Sequence, residues 1–397
     1  MLSTRSKIWC LCTRIFLCLG VVPNVSAEPY QPRSGAQVLE RLPARNDPTQ
    51  KELANLRSQL QREPANVNLA AALARRYISM ARNDADPRYL SYAQAALAPW
   101  WEKANPPTEV LVLRATVLQS THRFTKALAD LDQLLKNDRR NGQAWITRAT
   151  VLQVQGKFEE AKKSCAQLAG VAEELVMRTC LASVANLNGG ARPSYIALKA
   201  GLEGSRSSGP DLQVWIGTLL AEMAHRLGDD RAAEVHFKNA MALAVADSYL
   251  LGSYADFLID QARNGEVIAL LKDKTRADGL LLRYALALNN TQSPDAAKLI
   301  RELRDRVAAA ALRGDTVHQR EQSRFELQLM KNPKLALQLA QANWKVQKEP
   351  ADARIYLEAA AELDDKDAAQ SVLSWLKQTG LEDAALDKLK KSLANPR

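Results

Sequence analysis

The sequence predicts an all-α protein built from antiparallel helix pairs laid side by side. Three observations carry that expectation. The hexapeptide RATVLQ occurs twice, at Arg114–Gln119 and Arg148–Gln153, 34 residues apart. Around both copies, apolar residues recur at three- and four-residue steps, as amphipathic helices require. Ala and Leu dominate the composition while aromatics make up only 6%, which suits helices packed closely through small side chains.

In order, the chain begins with a basic start and an apolar run from Ile15 to Val22, ending in Val25-Ser26-Ala27. Small residues at the two positions a signal peptidase reads make residues 1–27 a secretory signal peptide by pattern. A retained anchor is the rival reading, although the run is short for a bilayer-spanning helix. Cys10, Cys12 and Cys18 would leave with that segment. Cys165 and Cys180 remain, as a disulfide in an oxidising compartment or as two buried free thiols. Residues 28–49 hold Pro29, Pro32, Pro43 and Pro48 and read as an extended lead-in. Residues 50–107 read as N-terminal helices and a divergent repeat with a longer turn before Pro87. No later stretch reaches 18 consecutive apolar residues, so the mature chain is expected to lack a transmembrane span.

Residues 108–275 read as the repeat core. RATVLQSTHRFTKALADLDQLL lies over RATVLQVQGKFEEAKKSCAQLA, matching Ala115, Leu118, Phe124 and Ala127 to Ala149, Leu152, Phe158 and Ala161. Polar turns, Thr121-His122-Arg123 and Gln155-Gly156-Lys157, divide each unit into two helices. The small Ala residues let the helices approach, Phe fills the wedge between them, and Gly156 permits a positive φ at the turn. Ala182 and Gly189 continue the register, followed by Ala221, Gly228, Ala233, Phe237 and Ala240, and then Ala255. Residues 276–380 are more degenerate, with Ala285, Ala297, Ala336 and Pro350 holding the pattern. Residues 381–397 read as a polar capping helix that shields the open end of the stack.

This pattern resembles the tetratricopeptide repeat family: Trp145, Ala149, Leu152, Gly156 and Ala161 stand at matching places in the clearest unit. Two positions depart from it. Arg148 stands where the family prefers Leu, and His122 replaces the turn glycine of the preceding unit. The resemblance covers roughly residues 65–380. It implies a right-handed α-solenoid of about seven to nine helix pairs, a superhelix whose concave wall is formed by the first helix of each pair.

The residue inventory points away from catalysis. His122, His225, His236 and His318 are the four histidines, and no HExxH or other metal-ligand spacing occurs. GxSxG and phosphate-binding glycine loops are absent, and Asp229-Asp230 and Asp364-Asp365 read as turn and capping residues. A non-enzymatic protein without metal or cofactor is expected. The formal charge is +10, of which Arg5, Lys7 and Arg14 lie in the signal segment, so a chain starting at Glu28 would carry +7. That excess is spread over helix faces of mixed sign. Without a dense basic tract interleaved with aromatics, the pattern argues against nucleic acid.

For binding, the resemblance implies a groove. Its ninth position in the first helix corresponds to Thr116, Thr150 and Ser183, and its twelfth to Gln119, Gln153 and Asn186. An amide both donates and accepts, so such a row would suit the backbone of an extended peptide. Each hydrogen bond nets only about 0.5–1.5 kcal/mol, so several are needed, with apolar contacts besides. The next two units place Trp215, Glu222, His225 and Arg226, then Tyr249, Asp256 and Asp260, on the same wall. Trp215 and Tyr249 read either as anchors for a partner side chain or as internal packing. The expected function is an exported scaffold, periplasmic rather than extracellular, that binds an unidentified protein or peptide in this groove and helps assemble an envelope complex. The alternative is an electrostatic adaptor for an anionic polymer or membrane surface.

Overall fold

The computed structural model describes residue 34 and residues 48–204, 208–315 and 317–394. The expected signal peptide and nearly all of the lead-in lie outside the described residues. Two compact units are distinguished, residues 1–50 and 51–397, and the repeats all belong to the second.

All regular structure among the described residues is helical. After α1 (Pro48–Arg62) comes the pair α2 (Val67–Asp84) and α3 (Arg88–Ala96), then a single turn, α4 (Ala98–Trp101). The repeat core holds α5 (Thr108–Ser120) with α6 (Phe124–Asn137), α7 (Gly142–Val154) with α8 (Phe158–Ala166), and α9 (Glu174–Ala185) with α10 (Ala191–Gly204). It continues with α11 (Pro210–Arg226) and α12 (Asp230–Ala242), then α13 (Ser248–Asp260) and α14 (Asn264–Leu271). The degenerate region supplies α15 (Asp278–Asn290) with α16 (Ala296–Leu312), α17 (Gln319–Gln328) with α18 (Pro333–Trp344), and α19 (Pro350–Glu362) with α20 (Lys366–Thr379). The last helix, α21 (Ala384–Ala394), closes the array. The stack therefore holds nine pairs among the described residues, each packed on the next, and is an all-α, tetratricopeptide-like solenoid.

The turn between paired helices is the same device in most of the pairs. A backbone N–H just past the first helix bonds the carbonyl five residues back: Arg123 to Leu118 at 2.8 Å, Lys157 to Leu152 at 2.8 Å, Asp229 to Ala224 at 2.9 Å and Asp365 to Ala360 at 2.9 Å. This is the Schellman closure, and it requires a left-handed residue in between. Gly156 and Gly228 supply it with φ of 74° and 81°. Where glycine is missing, another residue takes the same conformation: His122, Ala262 and Gln292 each have φ of 55°. A side chain in that region costs roughly 1–2 kcal/mol, which the packing of the pair offsets. The missing glycine at position 122 therefore leaves the turn intact.

The small residues pack as their spacing predicts. Ala115, Ala127, Ala149, Ala161, Ala233, Ala255 and Ala285 are all buried between helices, with Phe124, Phe158 and Phe237 in the wedges. One alignment slips: Ala297 is exposed, and its neighbour Ala296 makes the packing contact instead. The repeated arginine also has a structural job. Arg114 spans from α5 to α6, donating from Nε and Nη2 to Asp130 at 2.7 Å and from Nη1 to the Trp101 carbonyl at 2.5 Å. One repeat later Asp130 is replaced by Ser164, which accepts Arg148 Nη1 at 2.7 Å, while Arg148 Nε turns back to Asp132 at 2.8 Å. The arginine that departs from the family pattern thus ties each first helix to its own second helix.

First helices touch one another along the series α5, α7, α9, α11, α13, α15, α17 and α19, as second helices do not. That side is therefore the concave one. The stack curves tightly enough for distant pairs to meet. Ala149, Leu152, Phe158 and Val184 share one apolar cluster with Leu337, Trp344, Tyr356, Val372 and Leu386. Lys348 N donates to the Val154 carbonyl at 2.7 Å, and Phe158 lies 6.2 Å from Trp375 between ring centroids. Elsewhere Ser248 Oγ donates to the Arg82 carbonyl at 2.6 Å, joining α13 to α2. The hollow is thus narrowed by the chain's own later turns and is not the open groove expected from the sequence. Cys165 on α8 and Cys180 on α9 form a disulfide within the shared cluster, with Cα atoms 5.5 Å apart.

This packing sets the cost of two changes. Asp130→Ala strands a buried guanidinium and is expected to lower unfolding free energy by about 3–5 kcal/mol. Asp132→Ala, at an exposed pair, should cost less than about 1 kcal/mol, and chemical denaturation of the two variants compares them. Replacing both cysteines by Ser removes a cross-link across 15 residues, expected to cost about 3 kcal/mol in the same assay.

Candidate functional site

The residues expected to line a groove lie on, or at the end of, α5, α7, α9, α11 and α13, in unequal environments. Thr116 Oγ1 donates to the Val112 carbonyl at 2.8 Å and Thr150 Oγ1 to the Ile146 carbonyl at 3.0 Å. Both hydroxyls thus spend their proton inside their own helix and keep only acceptor capacity. Gln119 is half-buried, and its side-chain amide has no hydrogen-bond partner among the described residues. Gln153 Oε1 accepts Ser183 Oγ at 3.0 Å. Asn186 is buried, and its amide is spent on the Ala182 and Ser183 carbonyls and on Arg226. The three amide positions are therefore one open, one tied to a neighbour and one sealed. They do not form three equal rungs, because curvature brings successive first helices within reach of each other's side chains.

The α11–α13 part of the wall is denser in charge. Trp215 is half-buried. Tyr249 keeps 62% of its surface exposed, while its hydroxyl donates to Glu222 Oε1 at 2.8 Å. Ser253 Oγ donates to the same oxygen at 2.8 Å. Burial raises the Glu222 pKa against the pull of Arg226 and the two hydroxyls. The Glu222 charge in turn pushes the Tyr249 phenol well above its ordinary value.

One helical turn further along α13 the acids meet arginines from distant helices. Asp256 accepts Arg283 Nη2 and Arg324 Nη1, each at 2.5 Å. Asp260 accepts Arg354 through both terminal nitrogens, at 2.6 and 2.8 Å. Burial opposes ionisation of both carboxyls, but Arg283 and Arg324 at Asp256, and His225 and Arg354 at Asp260, prevail and both pKa values fall below the ordinary range. His225 stands between two carboxylates, Nδ1 at 2.7 Å from Asp230 and Nε2 at 3.2 Å from Asp260. Burial would depress its pKa, yet Asp260 and Asp230 together raise it. With both ring nitrogens engaged, neither is left to exchange a proton with a substrate. Beyond this row, Asp352 is buried at the start of α19, where desolvation lifts its pKa to about 6 despite Arg320.

Sequence reasoning placed Glu222, His225, Tyr249, Asp256 and Asp260 on the wall but missed the residues that meet them, Arg283, Arg324 and Arg354. No local signal announces a pairing across 68 or 94 residues. The one hint was the Arg354/Glu358 spacing on a single helix. Among the described residues no group of three or more His, Cys, Asp and Glu side chains is placed to hold a metal. None of the described helices is long and apolar enough to cross a membrane.

No protein-family profile and no curated protein matches this chain. Among solved structures it is similar to the human IFIT1 dimer with m7Gppp-AAAA, at 15% identity over 87% of this chain and 85% of that one, with a TM-score of 0.41. Yeast Tom70 is 11% identical over 87% and 91% of the two chains, with a TM-score of 0.30. The TPR domain of P58(IPK) is 16% identical over 87% and 98%, with a TM-score of 0.21. At such identities and scores these likenesses say nothing about partners. The fold description rests on the helix pairs themselves.

The His225 arrangement fixes the sign of a pH effect. Its raised pKa means the folded state holds the proton more tightly than the unfolded chain does. The stabilisation is therefore present at low pH and lost as pH rises through the folded value. His225→Gln is expected to lower the melting temperature more at about pH 5.5 than at about pH 8.5, read by thermal denaturation at both.

Proposed function

We propose that this chain is an exported, non-enzymatic scaffold that holds a protein or peptide partner against the concave wall of its solenoid, in the assembly of an envelope complex. The observation that carries the reading is Tyr249. Large aromatic side chains are strong interface anchors, and this one stands open on a wall whose neighbouring aromatics are packed. Half-buried Trp215 on α11 and unpartnered Gln119 on α5 add apolar and amide surface along the same wall. Since neighbouring pairs fix these side chains in advance, a partner would meet a surface already ordered, which lowers the entropic cost of association.

Export is supported by the basic start, apolar run and Val25-Ser26-Ala27 of the first segment. It is also consistent with the Cys165–Cys180 disulfide, a bond that persists in oxidising compartments. The bacterial periplasm is the compartment we favour. The second reading, an adaptor for an anionic polymer, rests on the overall positive charge. The basic side chains of the α13 wall, Arg283, Arg324 and Arg354, are engaged by Asp256 and Asp260, so the charge excess this reading needs lies elsewhere on the chain.

A photoreactive phenylalanine analogue at position 249 tests the binding surface in cells. Cross-linking to a discrete partner is expected there, and none from position 235, where Val235 is 52% exposed on second helix α12. Equal cross-linking from both positions, or from neither, would remove the concave wall from consideration. Mass spectrometry of the same material should find a chain that begins at Glu28.

A further inference from the structure

The second helices form the outer surface of the stack, and one of them is left uncovered. α6, α8, α10, α12, α14 and α18 each pack on the first helix that follows, whereas α16 makes no comparable contact with α17. At 17 residues α16 also outruns its 13-residue partner α15, and Leu312 at its end is 90% exposed. Apolar surface gathers at this break. Of the eight large apolar side chains exposed among the described residues, four lie between 312 and 346: Leu312, Met330, Leu335 and Val346. Ile300 and Val307 of α16 and Leu329 at the end of α17 are half-buried around Phe325. On α18, Leu335, Leu339 and Ala342 stand at steps of four and three along one face.

We infer that the outer groove between α16 and α18 receives an acidic amphipathic helix of a partner protein. The inference goes beyond the concave-wall reading and uses none of its residues.

Charge selects the sign of the partner. Residues 296–346 hold ten Lys and Arg against five Asp and Glu. Arg306, Arg320 and Arg324 are taken by carboxylates of the chain itself. Lys298, Arg301, Arg304, Arg313, Lys331 and Lys345 are exposed. Among these six the one ion pair is that of Arg304 with its neighbour Asp305, at 3.6 Å and open to water. Positive charge along this stretch is therefore unmet, and carboxylates flanking an apolar stripe would answer it. Shape selects a helix. Ile300, Val307 and Leu329 are recessed, so a flat bilayer surface would not reach them, whereas side chains at three- and four-residue steps would. α16 rises about 25 Å, the length of about five helical turns. The Phe and Trp of this stretch, Phe325 and Trp344, are buried, which leaves a nucleic-acid base no such ring to stack on.

The test uses the full chain with its disulfide intact. Fluorescence anisotropy follows a labelled helical peptide of about 18 residues, with Leu and Ala on one face and Glu on the flanks. The same peptide with Lys in place of Glu, and a scrambled peptide of equal composition, are the controls. Saturable binding of the acidic peptide alone is expected. Met330→Glu with Leu335→Glu changes two exposed positions and should weaken that binding more than about tenfold. Arg301→Glu with Arg304→Glu should weaken it about tenfold and admit the Lys peptide. Lys126→Glu with Lys136→Glu, at exposed positions of α6, should leave the affinity unchanged. Circular dichroism confirms the fold of each variant. The inference is overturned if the acidic peptide fails to bind, if a control peptide binds as well, or if the Met330/Leu335 and Arg301/Arg304 variants bind like the parent. It is also overturned if light scattering finds a dimer that Met330→Glu with Leu335→Glu dissociates, which gives the groove to a second copy. Sedimentation with phosphatidylglycerol vesicles, lost in Arg301→Glu with Arg304→Glu while the peptide is ignored, overturns it in favour of a lipid surface. Cross-linking from position 249 reports on the concave wall alone, so the two readings stand or fall separately.

Discussion

A helix pair in this protein is half of a core. Each pair buries small residues between its own helices but leaves an apolar face that only the next pair can cover. Every other feature stems from that need. It forces the pairs into a continuous stack and makes each pair's geometry depend on its neighbour. The recurring turn, closed in most pairs by a hydrogen bond across a left-handed residue, keeps the pairs alike enough for the stacking to repeat. The first helices lie closest together, so the stack bends towards them.

Bending has a second consequence. It carries the last pairs round until they meet the middle of the array, where Phe158 and Leu152 share an apolar cluster with Trp344, Tyr356 and Val372. Magnitudes show which contacts hold this closure. A fully buried large apolar side chain contributes roughly 1.5–3 kcal/mol, and the seam contains several. The Asp–Arg pairs across the hollow are only partly buried, so water offsets much of what each contributes. The seam therefore holds the turns together. The ion pairs decide which charges the wall presents and in what register.

The division of labour also explains the arginines of the repeated hexapeptide. As a surface residue an arginine would sit poorly in a position that favours Leu. Arg114 instead reaches across its pair to Asp130 and to backbone carbonyls near Trp101, in a setting where losing one partner would strand a charge. Arg148 performs the same span with Ser164 and completes its charge balance on Asp132 of the preceding pair. A departure from the family pattern is thus a coupling between helices, and it shows why degenerate repeats still stack.

The sequence alone determined the helix pairs, their 34-residue interval, the turn positions and the buried alanines, because these depend on contacts between residues close in the chain. It also placed Tyr249, Glu222 and Asp256 on the first helices. What it left open was what those side chains would meet. Asp256 finds Arg324, Asp260 finds Arg354, and Asn186 disappears beneath Arg226, through curvature accumulated over several pairs. A small rotation per pair has no signature in local periodicity, yet its sum decides which distant surfaces touch. The tertiary structure alone therefore decided which residues of the wall stay open and which are occupied by the chain itself.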